Sequence, residues 1–276
     1  MSKCPLQTLP DTAQEWEQLP FTEKVNVLFN EEWLPDVNPS NLWYHYTTID
    51  ALPTMITDKG VELWATHSSF VNDKEEIKLG AQHIAKLLKS ITTEEKVMRR
   101  YDNSVFISCL SQEKDSIPMW NAYGGGGNGI ALGFKPHIPQ IGSTHQYMKV
   151  IYEGTIAEDQ WINRVTEYMQ KKNKLDNLSG MLSILYLPMA YKHYKFAYEK
   201  EIRFLYFDDS EPTFFRNRKG LLVPYKKMYV GCDKLSEIMI GPTADGERTE
   251  LAIRLLLEQK GMSDIQITHS SAPLRQ

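Results

Sequence analysis

Two short segments of the 276-residue sequence carry residue types that can do chemistry, Tyr44-His45-Tyr46-Thr47 and Glu199-Lys200-Glu201-Ile202-Arg203. In an extended strand, residues two apart share a face, so Glu199, Glu201 and Arg203 point one way and Ile202, Phe204 and Tyr206 the other. Two carboxylates beside a guanidinium form a group that holds one carboxylate ionised and oriented. The same alternation also describes an ordinary amphipathic strand with a solvated charged face. His45 and Thr47 share one face of an earlier strand, and a lone histidine at a strand end more often completes a core or a surface than catalyses.

Other segments have bland readings of comparable weight. In Asn72-Asp73-Lys74-Glu75-Glu76, Asp73 as N-cap and Glu76 three residues later make a capping box, which leaves Asn72 as the residue able to reach a ligand. Trp120 and Tyr123 lie three apart before Gly124-Gly125-Gly126-Gly127, and core packing is the ordinary use of such aromatics. The glycine run lacks the Lys-Ser/Thr ending of a phosphate-binding loop. No GxSxG, HExxH, GxGxxG or kinase signature occurs. Cys4, Cys109 and Cys232 are far apart without CxxC pairing, so no metal site is expected and a reducing cytoplasm is the natural compartment.

The elements that would position these residues follow from periodicity. Residues 1–40 read as an amphipathic helical arm broken at Pro20, and residues 41–276 as one domain. Strands are expected at Leu42–Tyr46, Val61–Ala65, Val105–Leu110, Ile130–Phe134, Tyr147–Tyr152, Glu201–Phe207, Leu221–Tyr225, Ser236–Ile240 and Ile265–His269. Helices are expected from Ile77 to Leu88, and near 158–185 and 245–260, with shorter turns at Asp50–Ile56 and Ile117–Tyr123. Many short, turn-linked strands imply an α+β fold with a split or mixed, mainly antiparallel sheet and flanking helices.

A net charge of −4 argues against a broadly basic nucleic-acid-binding surface, although a local patch such as Lys171-Lys172-Asn173-Lys174 remains compatible with one. No run approaches the roughly 20 apolar residues of a membrane span, and Met1-Ser2-Lys3-Cys4-Pro5 opens no hydrophobic signal core. A cytoplasmic protein without membrane contact is expected.

Six pieces in order resemble the bacterial DUF2971 family: Leu42-Trp43-Tyr44-His45-Tyr46; Phe70-Val71-Asn72-Asp73 with Glu76; Ser108-Cys109-Leu110-Ser111 with Met119-Trp120 and Tyr123; Gly129 to Phe134; Tyr198 to Arg203; and Ser270 to Arg275. The opening Tyr44-His45-Tyr46-Thr47-Thr48 and the late Glu199-x-Glu201 also resemble ADP-ribosyltransferase folds, which place a histidine on the first strand and a glutamate late in the chain. That resemblance implies an ADP-ribosyltransferase-like core using NAD as substrate, in a toxin or anti-phage defence effector that modifies a macromolecular acceptor, nucleic acid or protein. It implies Glu201 as the ribose clamp, His45 and Thr47 as holders of ribose or nicotinamide groups, and Tyr46, Trp120 or Tyr123 as a stacking surface. Glu199 would steer the acceptor, and Arg203 would orient Glu201 or meet the pyrophosphate. The middle position of the motif is open among Ser68, Ser69, Trp120 and Tyr123. Two further classes stay in view. One is a metal-dependent nuclease gathering Mg²⁺ on Asp73 or Glu76 with Glu199 or Glu201; the other is a non-catalytic nucleotide-binding or regulatory module in which Glu201 and Arg203 are an internal ion pair.

Overall fold

A computed structural model describes residues 38, 40–71, 78–82, 105–136, 145–155, 187–206 and 212–274. The expected N-terminal arm, the capping box at Asp73 and Glu76, and the helix near 158–185 lie outside the described residues, as does most of the helix expected from Ile77 to Leu88. Residues 78–82 of that last segment are helical.

Thirteen strands are described: β1 Trp43–Thr47, β2 Ile56–Thr57, β3 Gly60–His67, β4 Phe106–Ser111, β5 Ile130–Phe134, β6 His145–Lys149, β7 Ile151–Tyr152, β8 Tyr191–Lys192, β9 Glu201–Tyr206, β10 Phe214–Arg218, β11 Leu221–Val230, β12 Leu235–Ile240 and β13 Gln266–His269. Eleven of them form one sheet, whose main path runs β10-β11-β3-β4-β1-β5-β12-β13, with β9 joined to β4, β6 to β9 and β2 to β3. Its pairs are antiparallel except β12 with β13, while the separate β7–β8 pair is parallel. A mixed, mainly antiparallel α+β architecture is therefore present. The strand Phe214–Arg218 was not expected; its alternation is masked because Arg216, Asn217 and Arg218 are consecutive polar residues.

Core packing follows the alternation along each strand. Trp43 joins Leu110, Leu132, Phe134, Ile202 and Phe204 in the largest cluster, closed by Ile253 and Leu257 of the helix Gly246–Gln259. Asp245 caps that helix by accepting from the Arg248 N–H, as an N-cap residue should. Tyr44 and Tyr46, one residue out of phase with Trp43, enter a second cluster with Met119, Trp120, Ala131 and Met239.

One local feature of the sheet creates room for a site. β9 pairs with β4 along its full length, Phe106 to Ser111, and so fills one edge of that strand. The other edge is shared: Phe106 and Ile107 pair with β3, whereas Ser111 pairs with Tyr44 of β1. Between those pairings no ladder pair of β1 or β3 falls on Ser108, Cys109 or Leu110. The sheet is split there, with β1 and β3 diverging from a common neighbour.

Candidate functional site

A cleft of about 930 Å³ opens at this split. Its walls come from β1 (His45, Tyr46, Thr47), β4 (Cys109), β9 (Glu201, Arg203), the turn before β9 (Glu199), the end of the helix Ile117–Ala122 with Tyr123, and the β3 and β10 side chains Trp64, Thr66, Arg216 and Arg218. Residues more than 150 positions apart thus face one space.

The carboxylate end is a closed polar network. Glu201 begins β9, and the charged face is not solvated: Glu199, Glu201 and Arg203 are 3%, 4% and 3% exposed. Arg203 donates through Nε to Glu201 Oε1 at 2.8 Å and through Nη2 to Oε2 at 3.2 Å, while its Nη1 donates to the Met189 carbonyl at 2.6 Å. Lys192, from the two-residue β8, donates to Glu201 Oε2 at 2.9 Å and to Glu199 Oε2 at 2.5 Å. The Tyr123 hydroxyl donates to Glu199 Oε1 at 3.0 Å.

Glu199 reaches this network by a route that strand alternation does not describe. It ends a 3₁₀ turn, Tyr194–Glu199, and Lys200 then takes a left-handed conformation at φ 39° and ψ 53°. A non-glycine residue held there stores of order 1 kcal/mol or more of strain, so its surroundings must impose it. They do. Ser111 Oγ donates to the Glu199 carbonyl at 2.6 Å, and the Gln112 N–H donates to the Lys200 carbonyl at 3.0 Å. The expectation that Glu199 shares a strand face with Glu201 is corrected accordingly: a turn and a bridging lysine bring the two together.

The two carboxylates titrate in opposite directions. Burial pushes Glu201 upward, but Arg203 and Lys192 outweigh it and hold the group down at about 2. For Glu199 burial prevails over Lys192, and the negative charge of Glu201 adds to it, so its pKa is raised. Neighbouring carboxylates driven apart in this way are suited to different roles.

Their hydrogen-bonding capacity differs as well. A carboxylate has about four lone-pair positions. Glu201 meets two donors from Arg203, one from Lys192 and the Cys109 thiol, which fills it. Among the described residues Glu199 meets only Lys192 and Tyr123, leaving two positions to spare.

Cys109 links the carboxylates to β1. Its thiol is exposed to the cleft and faces Glu201, and desolvation there, reinforced by that carboxylate, raises its pKa well above the ordinary value, so the sulfur stays protonated. Its backbone carbonyl lies 3.3 Å from His45 Nδ1. A carbonyl can only accept, so Nδ1 carries the proton and Nε2 keeps its lone pair. Burial, with a smaller contribution from Arg216, lowers the His45 pKa and favours this neutral form.

The structure therefore gathers His45, Tyr46, Thr47, Tyr123, Glu199, Glu201 and Arg203 around one cleft. Two other candidates do not line it. Trp120 is fully buried, its ring edge-on to Tyr46 at 4.8 Å between centroids and its Nε1–H donating to Asp115 at 2.7 Å, so it supports the wall from behind. Ser68 is 1% exposed, and its N–H donates to the Val105 carbonyl at the start of a 3₁₀ turn. Asn72 lies outside the described residues. Lys192, Cys109 and Arg216 were missed. Arg216 belongs to the unexpected strand, and nothing in the spacing of Tyr191-Lys192-His193 marks the lysine except its aromatic and apolar flanks.

Among the described residues, no group of three or more His, Cys, Asp or Glu is placed to hold a metal ion, and no helix is long and apolar enough to cross a membrane. Residues 119–204 match the family model DUF2971, described as a protein of unknown function. That segment runs from within the wall helix through β5 to the start of β9, and so includes Tyr123, Lys192, Glu199, Glu201 and Arg203. Comparisons with curated proteins and with solved structures found no match.

Proposed function

DUF2971 carries no assigned activity, and we propose one from the cleft: an NAD-consuming, ADP-ribosyltransferase-like enzyme acting on a macromolecular acceptor. The observation that carries this reading is the convergence of His45, from the first strand, with Glu199 and Glu201 on one cleft at a split in the sheet. Cleaving the glycosidic bond of NAD expels nicotinamide from a cationic ring, so no strong acid is needed, and positive charge develops at the ribose. A fixed anion pointed at that charge is the largest help a protein can give.

Glu201, ionised across the physiological range and pinned by two cations, supplies permanent negative charge beneath the ribose. Glu199 takes the direct contacts. Its two open acceptor positions receive a ribose hydroxyl or the acceptor's nucleophile, and its raised pKa suits it to accept a proton. The Nε2 lone pair of neutral His45 accepts a second ribose hydroxyl. Thr47 lies beside it on the same strand, and the Tyr46 and Tyr123 rings flank the nicotinamide. This exchanges the duties that family resemblance alone assigns to the two glutamates.

Incubation with NAD and a cell lysate tests the reading. Nicotinamide release is expected, reduced at least about 100-fold in Glu199→Gln with the fold retained, a loss typical of removing a general base. Absence of both NAD binding and NAD turnover would remove the proposal.

A second reading rests on the saturation of Glu201. A carboxylate with every acceptor position filled is also what a purely structural ion pair looks like. In that case Glu199→Gln would leave any ligand response unchanged, and Glu201→Gln would act on stability alone.

A further inference from the structure

The end of the cleft away from Glu199 and Glu201 carries a cluster of cations and one carboxylate, Glu62, which accepts from Trp64 Nε1 at 2.7 Å and from Lys227 at 3.1 Å. From Pro212 to Cys232 the sequence contains Arg216, Arg218, Lys219, Lys226 and Lys227 and no Asp or Glu, in a chain whose net charge is −4. Arg216 donates to Thr66 Oγ1 at 2.9 Å and lies over the rings of Trp64 and Tyr225, 5.2 and 5.7 Å from their centroids. Its Nε is buried without a hydrogen-bond partner among the described residues. Neither Arg216 nor Arg218 has a carboxylate partner among the described residues. Burial and the charge of Arg218 depress the Arg216 pKa, and Arg216 in turn acts on His45. Two guanidiniums held close together, one with an unmet donor, make a site in want of an anion.

The strip does not stop at the cleft. Arg216 and Arg218 sit two residues apart on β10, about 6.8 Å along the strand, and share a face. Exposed Arg218 leads on to exposed Lys219 at the hairpin turn. Beside them lies the partly exposed Trp64, stacked on Tyr225, whereas Phe215 falls on the opposite face of the strand. A dinucleotide lodged in the cleft would need a single cationic end. A charged line that continues along an exposed hairpin, bordered at the cleft by the Trp64 ring, suits a chain of phosphates with a base free to stack.

We propose that the acceptor is a single-stranded nucleic acid, whose phosphodiester backbone runs along Arg216, Arg218 and Lys219 and whose target base enters the cleft near Glu199. This rests on the NAD-consuming reading above for the chemistry, but not for the binding. The nucleic-acid strand is held by phosphate contacts to the arginines and by stacking on Trp64, and the base that enters meets the ribose carbon exposed by loss of nicotinamide. There the bond from that carbon to nicotinamide nitrogen breaks, a bond to the base forms, and the proton of the base passes to Glu199.

The test is fluorescence anisotropy with labelled single-stranded oligothymidylate and oligouridylate of about 12 residues, in the absence of NAD. Both should bind, and affinity should fall with salt. Arg216→Gln with Arg218→Gln should weaken binding at least about 10-fold and flatten the salt slope by about 1.4, or about 0.7 for each phosphate that is no longer neutralised. Because Arg216 packs on Trp64, the exposed pair Arg218→Gln with Lys219→Gln is the second variant, with the same direction expected and no demand on the fold. No binding at low salt, or binding indifferent to both double variants, overturns the inference. So does label from NAD in a lysate that is removed by protease and not by nuclease. Nicotinamide release without oligonucleotide binding sinks this inference alone; oligonucleotide binding without NAD turnover upholds the nucleic-acid surface and sinks the enzymatic reading.

Discussion

Lys192 and Arg203 decide how the two glutamates behave. Removing one member of a buried, hydrogen-bonded charge group leaves its partners unpaired in a low-dielectric setting, at a cost of roughly 3–5 kcal/mol. Glu201→Gln should therefore destabilise the protein by about 3 kcal/mol near neutral pH, measured by denaturant unfolding. The pH dependence has a definite sign. Glu201 titrates at about 2 in the folded chain against an ordinary 4.5, so its contribution is complete above about 4.5 and is lost as pH falls toward about 2. The difference between the unaltered protein and Glu201→Gln should shrink over that interval. Glu199 works in the opposite sense: its raised value means that protonation on moving from neutrality toward the ordinary carboxylate range favours the folded chain. At this scale the sequence was partly legible. The Glu199-x-Glu201-x-Arg203 spacing located the charges, but whether they faced solvent or a cleft depended on Lys192 and Met189, which the chain folds back onto them from 7 to 14 residues earlier.

At the scale of elements, the site depends on where β1 ends. A Cβ on Gly129 would fall 2.2 Å from the Thr47 carbonyl oxygen and 2.7 Å from that of Gly124, backbone atoms with little freedom to move. Gly129→Ala should push β5 away from β1, cost about 3 kcal/mol as overpacking against backbone does, and disturb His45 and Thr47 with it. Gly126→Ala is the contrasting case, since its Cβ meets nothing within 4 Å and only its φ of 70° is unfavourable, for about 1 kcal/mol. Thermal unfolding of the two variants separates close approach from backbone conformation. Trp120 belongs to this scale too. Trp120→Phe would open a gap behind Tyr46 and take a donor from Asp115, whose other partners are Ser270 and Ser271 near the C-terminal end. A loss of about 2 kcal/mol is expected, with ligand affinity changed far less than stability. Strand periodicity made most of β1, β4, β5, β9 and β12 legible. It failed at β10, where polar residues run together, and at Glu199, where a left-handed Lys200 breaks the alternation.

For the whole molecule, the split in the sheet is what turns separate segments into a site. A count of short strands pointed to a mixed, mainly antiparallel sheet, but the gap at Cys109 is a matter of pairing: β4 shares one edge between β1 and β3. No local pattern records which strands compete for an edge. The same long-range pairing sets the charge layout, with Glu199 and Glu201 at one end of the cleft and the β10 arginines, near Glu62, at the other, from a sequence that is mildly acidic as a whole. The most direct test is a crystal structure of the protein soaked with NAD. The account predicts the nicotinamide ribose in the cleft, with its hydroxyls within hydrogen-bonding distance of His45 Nε2 and Glu199 and with Glu201 beneath the ring. A ribose bound elsewhere, or one that touches neither His45 nor Glu199, would contradict it.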